Sequence, residues 1–485
     1  MKITLDNFSE GMTPDIRENR TGFSKLLKNF DILSRPKSLS PYLSHVTGDA
    51  SSSTHCLTDF FYNNSRVYGA GVDNSTSKIT VYYKSDFTSD VWTTPSNNVG
   101  STGVPVRGVF IDYKGSAYGF YADARVWRFK LDGSGWTDTD TTITSAAAGI
   151  GSSAAFVHPK DDILYMAAGN VIGRKNNTVW EPTALTLPDR YVISCLTDYG
   201  NYLAIGCVEK NAGNSVVYLW DRDSSLNTVA EVIDFGYGDL RVLAQIEGEL
   251  IGVSERLGVF SSLKNSWIFR SYAGGTPRTF REIIASGSLN SNSIGGGKKY
   301  NANRLYFYGS LEIDGVLQIG VWCVAKNPSG RWIIWLDRLP NNDTVVASNS
   351  VRGFILVGDF AFISYQDSGY KLTQTANSST SYTGSSVIET VINPNMADKF
   401  SNKQIVAVSV YCAPQPAAGQ IILKYKVDGG SWITILTNTT DNVVSTEARF
   451  TSLVGREYQF RIESTGGTVI TGFAYDYVVV KSIIS

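Results

Sequence analysis

The sequence predicts an all-β chain: a seven-bladed β-propeller followed by a C-terminal β-sandwich, with an extended N-terminal arm. Three observations carry this. The chain uses 26 Tyr, 22 Phe, 10 Trp and 45 Gly but only 4 Met and 3 His, the usage of short strands joined by many turns. Paired apolar runs of strand length recur along the first three quarters of the chain. A Ser/Thr-rich stretch, TANSSTSYTGSS, then separates these repeats from about seven further strand-like runs, as in a sandwich of about 100 residues.

The repeat begins with RVYGAG, SAYGFY, DILYMAAG, NYLAIGC, GELIGVS, NRLYFYG and RGFILVG. Each is followed by a second run: KITVYYK, RVWRFKL, NVIGRK, SVVYLWD, LGVFSSL, IGVWCVAK and AFISYQ. Seven such units, each long enough for four short strands, match propeller blades. After the second run comes a polar turn and an aromatic: Trp92, Trp136, Trp180, Trp267, Trp332 and Tyr370; the fourth unit, DRDSSLN, lacks one. The first three are 44 residues apart. At this position the aromatic opens the outer strand and covers the gap to a neighbouring blade. A large aromatic buries roughly 150–250 Å², an upper estimate of a few kcal/mol at about 25 cal/mol per Å².

The propeller is expected over residues 45–375. Residues 273–301, AGGTPRTFREIIASGSLNSNSIGGGKKYN, read as an inserted, partner-ordered loop. Residues 1–44 form the arm, in which FSKLLKNF suggests a short helix or a segment that closes the last blade, and residues 376–485 form the sandwich.

Composition limits the chemistry. Forty-three Lys and Arg against 44 Asp and Glu give a formal net charge of -1, so nothing global draws the chain to nucleic acid or an anionic surface. Cys56, Cys195, Cys207, Cys323 and Cys412 are odd in number and lack a CxxC pair, which predicts buried free thiols and a reducing compartment. MKITLDNFSEG lacks a signal-peptide apolar region, and no run reaches the ~18 apolar residues of a membrane span.

The histidines, His45, His55 and His158, fall in no HxH, HExxH or GxSxG pattern and read as structural. KLDGSGW, Lys130–Trp136, loosely matches the Asp-box of sialidase-like propellers but lacks its serine. WTDTDTT offers Asp138 and Asp140 in DxD spacing without the Gly and Glu of a calcium loop. No catalytic residue, cofactor or metal site is therefore expected.

The chain ends carry a resemblance. FSEGMTPDIRENRTGFSKLLKNFDILSRPKSLSPY, with Gly11-Met12, Asn29-Phe30-Asp31 and Arg35-Pro36, resembles the opening of virion structural proteins of tailed bacteriophages. VIETVINPNMADKFSNKQIVAVSVYCAPQPAAGQIILKYKVDGGSW and GREYQFRIESTGG are similar to a sandwich appended to phage tail propellers. The shared features are a Phe-polar-Lys turn and an Asp-Gly hairpin ending in Trp.

The resemblance implies a tail component, at a nozzle, tail-tip or fibre-base position, present in several copies and assembled in the host cytoplasm. Its partners would be other virion proteins and copies of itself, and nucleic acid only if it lines the DNA channel. Phe23, Leu26, Leu27, Phe30 and Asp31 are the candidate docking residues, with closure of the propeller as their alternative role. A glycan-binding receptor protein and a propeller glycosidase are the competing readings.

Overall fold

A computed structural model describes residues 2–5, 12, 24–28, 30–31, 40–41, 45–47, 55–73, 78–87, 91–93, 106–121, 123–143, 153–210, 213–257, 265–286, 294–300, 303–313, 315–340, 350–358, 360–366, 370–375, 386–393 and 401–480. Every regular element among them is a β-strand. The chain forms two compact units: Val46–Ile319 with Val345–Thr375, and Met1–His45 with Gly320–Thr344 and Ala376–Ser485.

The first unit is a β-propeller. Its inner strands are His55–Asn63, Val106–Tyr113, Ser153–His158, Tyr191–Tyr199, Asp239–Ile246, Ile294–Tyr300 and Ser350–Val357. Each lies beside the next, and the last lies beside the first, so the ring closes. From each inner strand an antiparallel sheet runs outward. Tight hairpins at Asn64–Ser65, Lys114–Gly115 and Glu247–Gly248 have both central residues at positive φ, the turn whose twist matches paired strands.

The runs legible in the sequence are mostly second and third strands, such as Ser116–Tyr121 and Ile163–Ala168. These are buried almost throughout, because sheets cover both their faces. Buried clusters draw on successive sheets. Tyr68 and Val81 of the first blade pack with Phe110 and Trp127 of the second, and Leu57 and Trp92 of the first with Phe362 and Leu372 of the seventh.

Three expectations are corrected here. Residues 273–301 are not an inserted loop: Arg278–Ile284 is the outer strand of the fifth sheet, and Ile294–Tyr300 is the next inner strand. The latter reads as a loop because it is IGGGKKY, yet a Cβ at Gly297 would run into Val242 of the neighbouring inner strand. Glycine is what lets the two backbones approach.

Second, FSKLLKNF contains a strand, Ser24–Lys28, not a helix. It pairs antiparallel with Ser386–Thr390 and parallel with Trp332–Arg338. Leu26 and Leu27 point to opposite faces of the sheet, and both are buried. Five residues gain little as an isolated helix and much as an interior strand.

Third, the arm is not separate, because residues 1–45 and 320–344 belong to the same compact unit as the C-terminal region. The strand Val316–Lys326 begins in one unit and ends in the other. The seventh blade takes its fourth strand, His45–Thr47, from before the first blade, beside Tyr370–Thr375.

Among the described residues, the second unit holds two larger sheets and a two-stranded one, Phe30–Asp31 with Ser40–Pro41. In one larger sheet, the order is Lys2–Leu5, Ile470–Val479, Lys403–Cys412, Ser445–Gly455. The other runs from Trp332–Arg338 through Ser24–Lys28, Ser386–Thr390, Tyr458–Thr465 and Gln420–Val427 to Ile433–Asn438. Phe460 of the second sheet meets Phe473 and Tyr475 of the first at ring-centroid distances of 5.1 and 5.2 Å. The Tyr458 hydroxyl also donates across to the Lys403 carbonyl at 2.7 Å.

Cys195, Cys207, Cys323 and Cys412 are buried free thiols, with burial pushing the Cys195 thiol up to about 12; the side chain of Cys56 lies outside the described residues. Leu27→Ala should cost about 2–5 kcal/mol, as for other fully buried leucines, read as a lower urea midpoint. Deleting residues 1–31 should leave the C-terminal unit unfolded, whereas an unchanged melting curve for the truncated chain would contradict the strand insertion.

Candidate functional site

Several chemically capable side chains lie at the seams between blades, among them Asp140 with Lys175 and Asp161 with Arg222. At the seam between the second and third sheets, Asp140 accepts from Lys175 Nζ at 2.7 Å and from Trp180 Nε1 at 2.5 Å. Arg128 Nη1 lies 3.3 Å from its other oxygen. Lys175, only 3% exposed, sits 4.8 Å from the Trp180 ring centre and 5.4 Å from that of Tyr118. Burial raises the Asp140 carboxyl, but the Lys175 and Trp180 hydrogen bonds and the charges of Lys175 and Arg128 outweigh it and hold it below its ordinary value. An aromatic cage is thus filled by the chain's own ammonium.

Asp138 is committed too, accepting from the Tyr121 hydroxyl at 2.7 Å and from Trp136 Nε1 at 3.2 Å. Residues 136–142 form an outer strand that carries the DxD pair.

The next seam holds His158, fully buried. Its Nδ1 accepts from the Lys160 backbone N–H at 3.3 Å, and its Nε2 lies 3.3 Å from the Tyr202 carbonyl and 3.4 Å from Arg222 Nη1. Arg222 Nε in turn pairs with Asp161 at 2.6 Å. Burial, then the Arg222 charge, push the imidazole below its ordinary value. This histidine has a backbone partner on each nitrogen and ties two blades.

On the fifth inner strand, Arg241 pairs with Asp239 of the same strand and with the buried Glu255 of the second strand, at 2.9 and 3.2 Å. Burial raises the Asp239 carboxyl against the pull of Arg241. One arginine therefore pairs with both acids. Among the described residues, no group of three or more His, Cys, Asp or Glu side chains is placed to hold a metal ion.

The blade aromatics divide. Trp92 meets Phe362 of the seventh sheet at 5.7 Å, edge-on. Trp180 meets Tyr118 of the second at 6.2 Å, and Trp267 meets Phe307 of the sixth at 5.8 Å; these three bridge sheets. Trp136 instead stacks on Trp127 of its own sheet at 5.1 Å, and Trp332 lies under Lys326 at 4.8 Å.

Trp267 and Tyr370 open third strands rather than outer ones. The seventh blade starts at RGFILVG and borrows its fourth strand, so the aromatic falls one strand earlier; the side chain of Tyr370 is outside the described residues. In the fifth, Ser266–Tyr272 pairs with the second strand, Glu249–Arg256; residues 258–263 of the expected run LGVFSSL lie outside the described residues.

Sequence reading missed the cations that face several of these aromatics. Lys84, Lys175, Lys326 and Lys426 are each the last or next-to-last residue of a strand before a turn and lie 4.8–5.8 Å from the ring of Trp92, Trp180, Trp332 and Trp432. The signal, Lys at the strand end and Trp five to eight residues on, is present in the sequence. Also missed were bulges in six of the seven inner strands, at Thr58, Gly108–Val109, Ser194, Arg241, Gly296–Gly297 and Arg352. The Thr58 and Ser194 hydroxyls both donate to a carbonyl on the facing strand, of Ala70 and Gly206, filling the gap that a bulge leaves in the ladder.

The expected docking residues are not an exposed set. Leu26, Leu27 and Phe30 are buried in the chain's own fold, which corrects their assignment to a partner. Asp31 pairs through its backbone with Ser40; its side chain and Phe23 lie outside the described residues.

No protein-family model matches the chain, and no curated protein matches it. Solved structures similar to it include YCF48 bound to a D1 peptide, at 11% identity and TM-score 0.44 over 70% of this chain and 96% of that one. BamB from Moraxella catarrhalis is similar at 10% identity and TM-score 0.37, over 70% and 92%. A glycoside hydrolase is similar at 12% and 0.33, over 87% and 98%.

Asp140→Asn strips the partner from a buried lysine and should cost roughly 3 kcal/mol in urea unfolding. Adding Lys175→Met should recover most of it; no recovery would mean that the seam does not depend on this ion pair.

Proposed function

We propose that the chain is a structural component of a tailed-phage virion, acting at the tail by assembly in several copies rather than by catalysis. One observation carries this reading: the two regions that resemble virion proteins, hundreds of residues apart in sequence, belong to one compact unit. Within it, the residues that carry the resemblance have structural work. The Met12 backbone N–H donates to Ile334 at 3.0 Å, and Met12 and Phe30 are buried. Lys403, of the Phe-polar-Lys turn, is buried and donates to the carbonyls of Ser401 and Arg456 at 2.9 and 3.2 Å.

The Asp-Gly hairpin supports it in the same way. Asp428 and Gly429 both have positive φ, and the Asp428 carboxylate accepts from the backbone of Arg456 and Glu457 at 3.0 and 2.7 Å. These are features of a shared scaffold, which explains why a loose pattern recurs without a reaction attached. The commitment of Asp138, Asp140, Asp161 and Glu255 to partners within the chain favours a rigid component over an enzyme.

Antibodies raised against the purified chain, applied to lysates of the phage and host that encode it, should decorate particle tails in negative-stain images. Unlabelled particles beside abundant soluble chain would contradict the reading, and release of sugar from host-surface polysaccharide by the purified chain would replace it with the glycosidase.

A further inference from the structure

We propose that the strand Ser445–Gly455 is a pairing edge for a second copy of this chain, joined antiparallel about Ala448. This deepens the self-association part of the proposed function by naming its surface. It rests on that reading only for the occupant, a second copy.

The strand is last in its sheet. Lys403–Cys412 pairs with one side of it, and no strand among the described residues pairs with the other. Ile433–Asn438 lies beside it but pairs only with Gln420–Val427. Its first five residues run in unbroken register, Ser445 to Arg449 against Tyr411 to Ala407. It has no proline or lysine, and the bulge that can also blunt an edge lies beyond this stretch, at residues 450–452. The outer strands at the other ends of these two sheets compare poorly: Lys2–Leu5 has four residues and begins with a lysine, and Ile433–Asn438 has no charge.

Charge selects the occupant and the register. Glu447 and Arg449 lie on one face of the strand and pair with each other at 2.6 Å, with side chains 44% and 83% exposed. When two copies meet about a two-fold axis through the sheet, residues on that face oppose residues on the same face of the other copy. Pairing about Ala448 sets each Glu447 opposite the other copy's Arg449. Sliding one copy by two residues sets Glu447 against Glu447 in one direction and Arg449 against Arg449 in the other, and like charges directly opposite are unfavourable. The strand is therefore complementary to itself in one register, with the small Ala448 at the axis.

The test uses the purified full-length chain, so its outcome does not depend on which particle the chain belongs to. Sedimentation velocity should show a reversible dimer. Glu447→Arg or Arg449→Glu alone should weaken it about tenfold or more, since each puts like charges across the axis. The double variant E447R/R449E should restore it. Ala448→Cys should give a disulfide-linked dimer on mild oxidation that wild type does not, because directly paired Cα atoms lie about 4.5–5.5 Å apart.

Circular dichroism on each variant separates lost pairing from lost folding. A wild-type chain that stays monomeric at its highest soluble concentration would overturn the proposal. So would a folded double variant that fails to dimerise, or an Ala448→Cys chain that does not cross-link. If the chain dimerises through this edge but labels no virion, the edge stands and the virion reading falls.

Discussion

Closure of the inner ring is the constraint from which the propeller follows. Seven short strands must each lie against two neighbours, the last against the first, so their backbones approach closely and their faces cannot all carry large side chains. The bulges at Thr58, Ser194, Arg241 and Arg352 and the glycines of Ile294–Tyr300 meet that demand. Closure is also why the seventh blade is composite: Ser350–Val357, Phe360–Gln366 and Tyr370–Thr375 are completed by His45–Thr47. The Ser364 hydroxyl donates to the Leu57 carbonyl at 2.6 Å, a bond between residues 307 apart in the chain. Such a contact is costly in loop entropy to form and, once formed, holds both ends of the ring.

Outside the ring, the seams decide what the chemistry-bearing residues are free to do. A buried charge without a partner is expensive, and the seams of a propeller are where charges from adjacent sheets meet. Asp140 with Lys175 and Asp161 with Arg222 each cancel across a seam, and within the fifth sheet Arg241 pairs with both Asp239 and Glu255. A chain that spends its acids in this way is suited to rigidity. What it can offer to others lies on its surfaces and edges, which directs attention to the C-terminal unit.

Much of the architecture is legible in the sequence because second and third strands are apolar on both faces and stand out as runs. Inner and outer strands are harder to read. IGGGKKY carries glycine where packing is tightest, and RTFREII carries charge where one face meets water, so both resemble loop. SKLLK reads as helix because nothing local reveals that strands from residues 332–338 and 386–390 flank it. The seam aromatics are visible by spacing, yet their partners are not: Asp140 and Trp180 are 40 residues apart and meet only because blades are neighbours. The edge charges Glu447 and Arg449 are ordinary in sequence and acquire meaning only from the position of their strand.

The account stands on both ends of the chain being strands of the fold rather than free arms. Hydrogen–deuterium exchange followed by mass spectrometry tests this directly. Peptides spanning residues 24–28 and 470–479 should be protected like the inner strands at residues 191–199 and 239–246. Exchange of residues 24–28 at the rate of an unstructured peptide, while those inner strands stay protected, would contradict it.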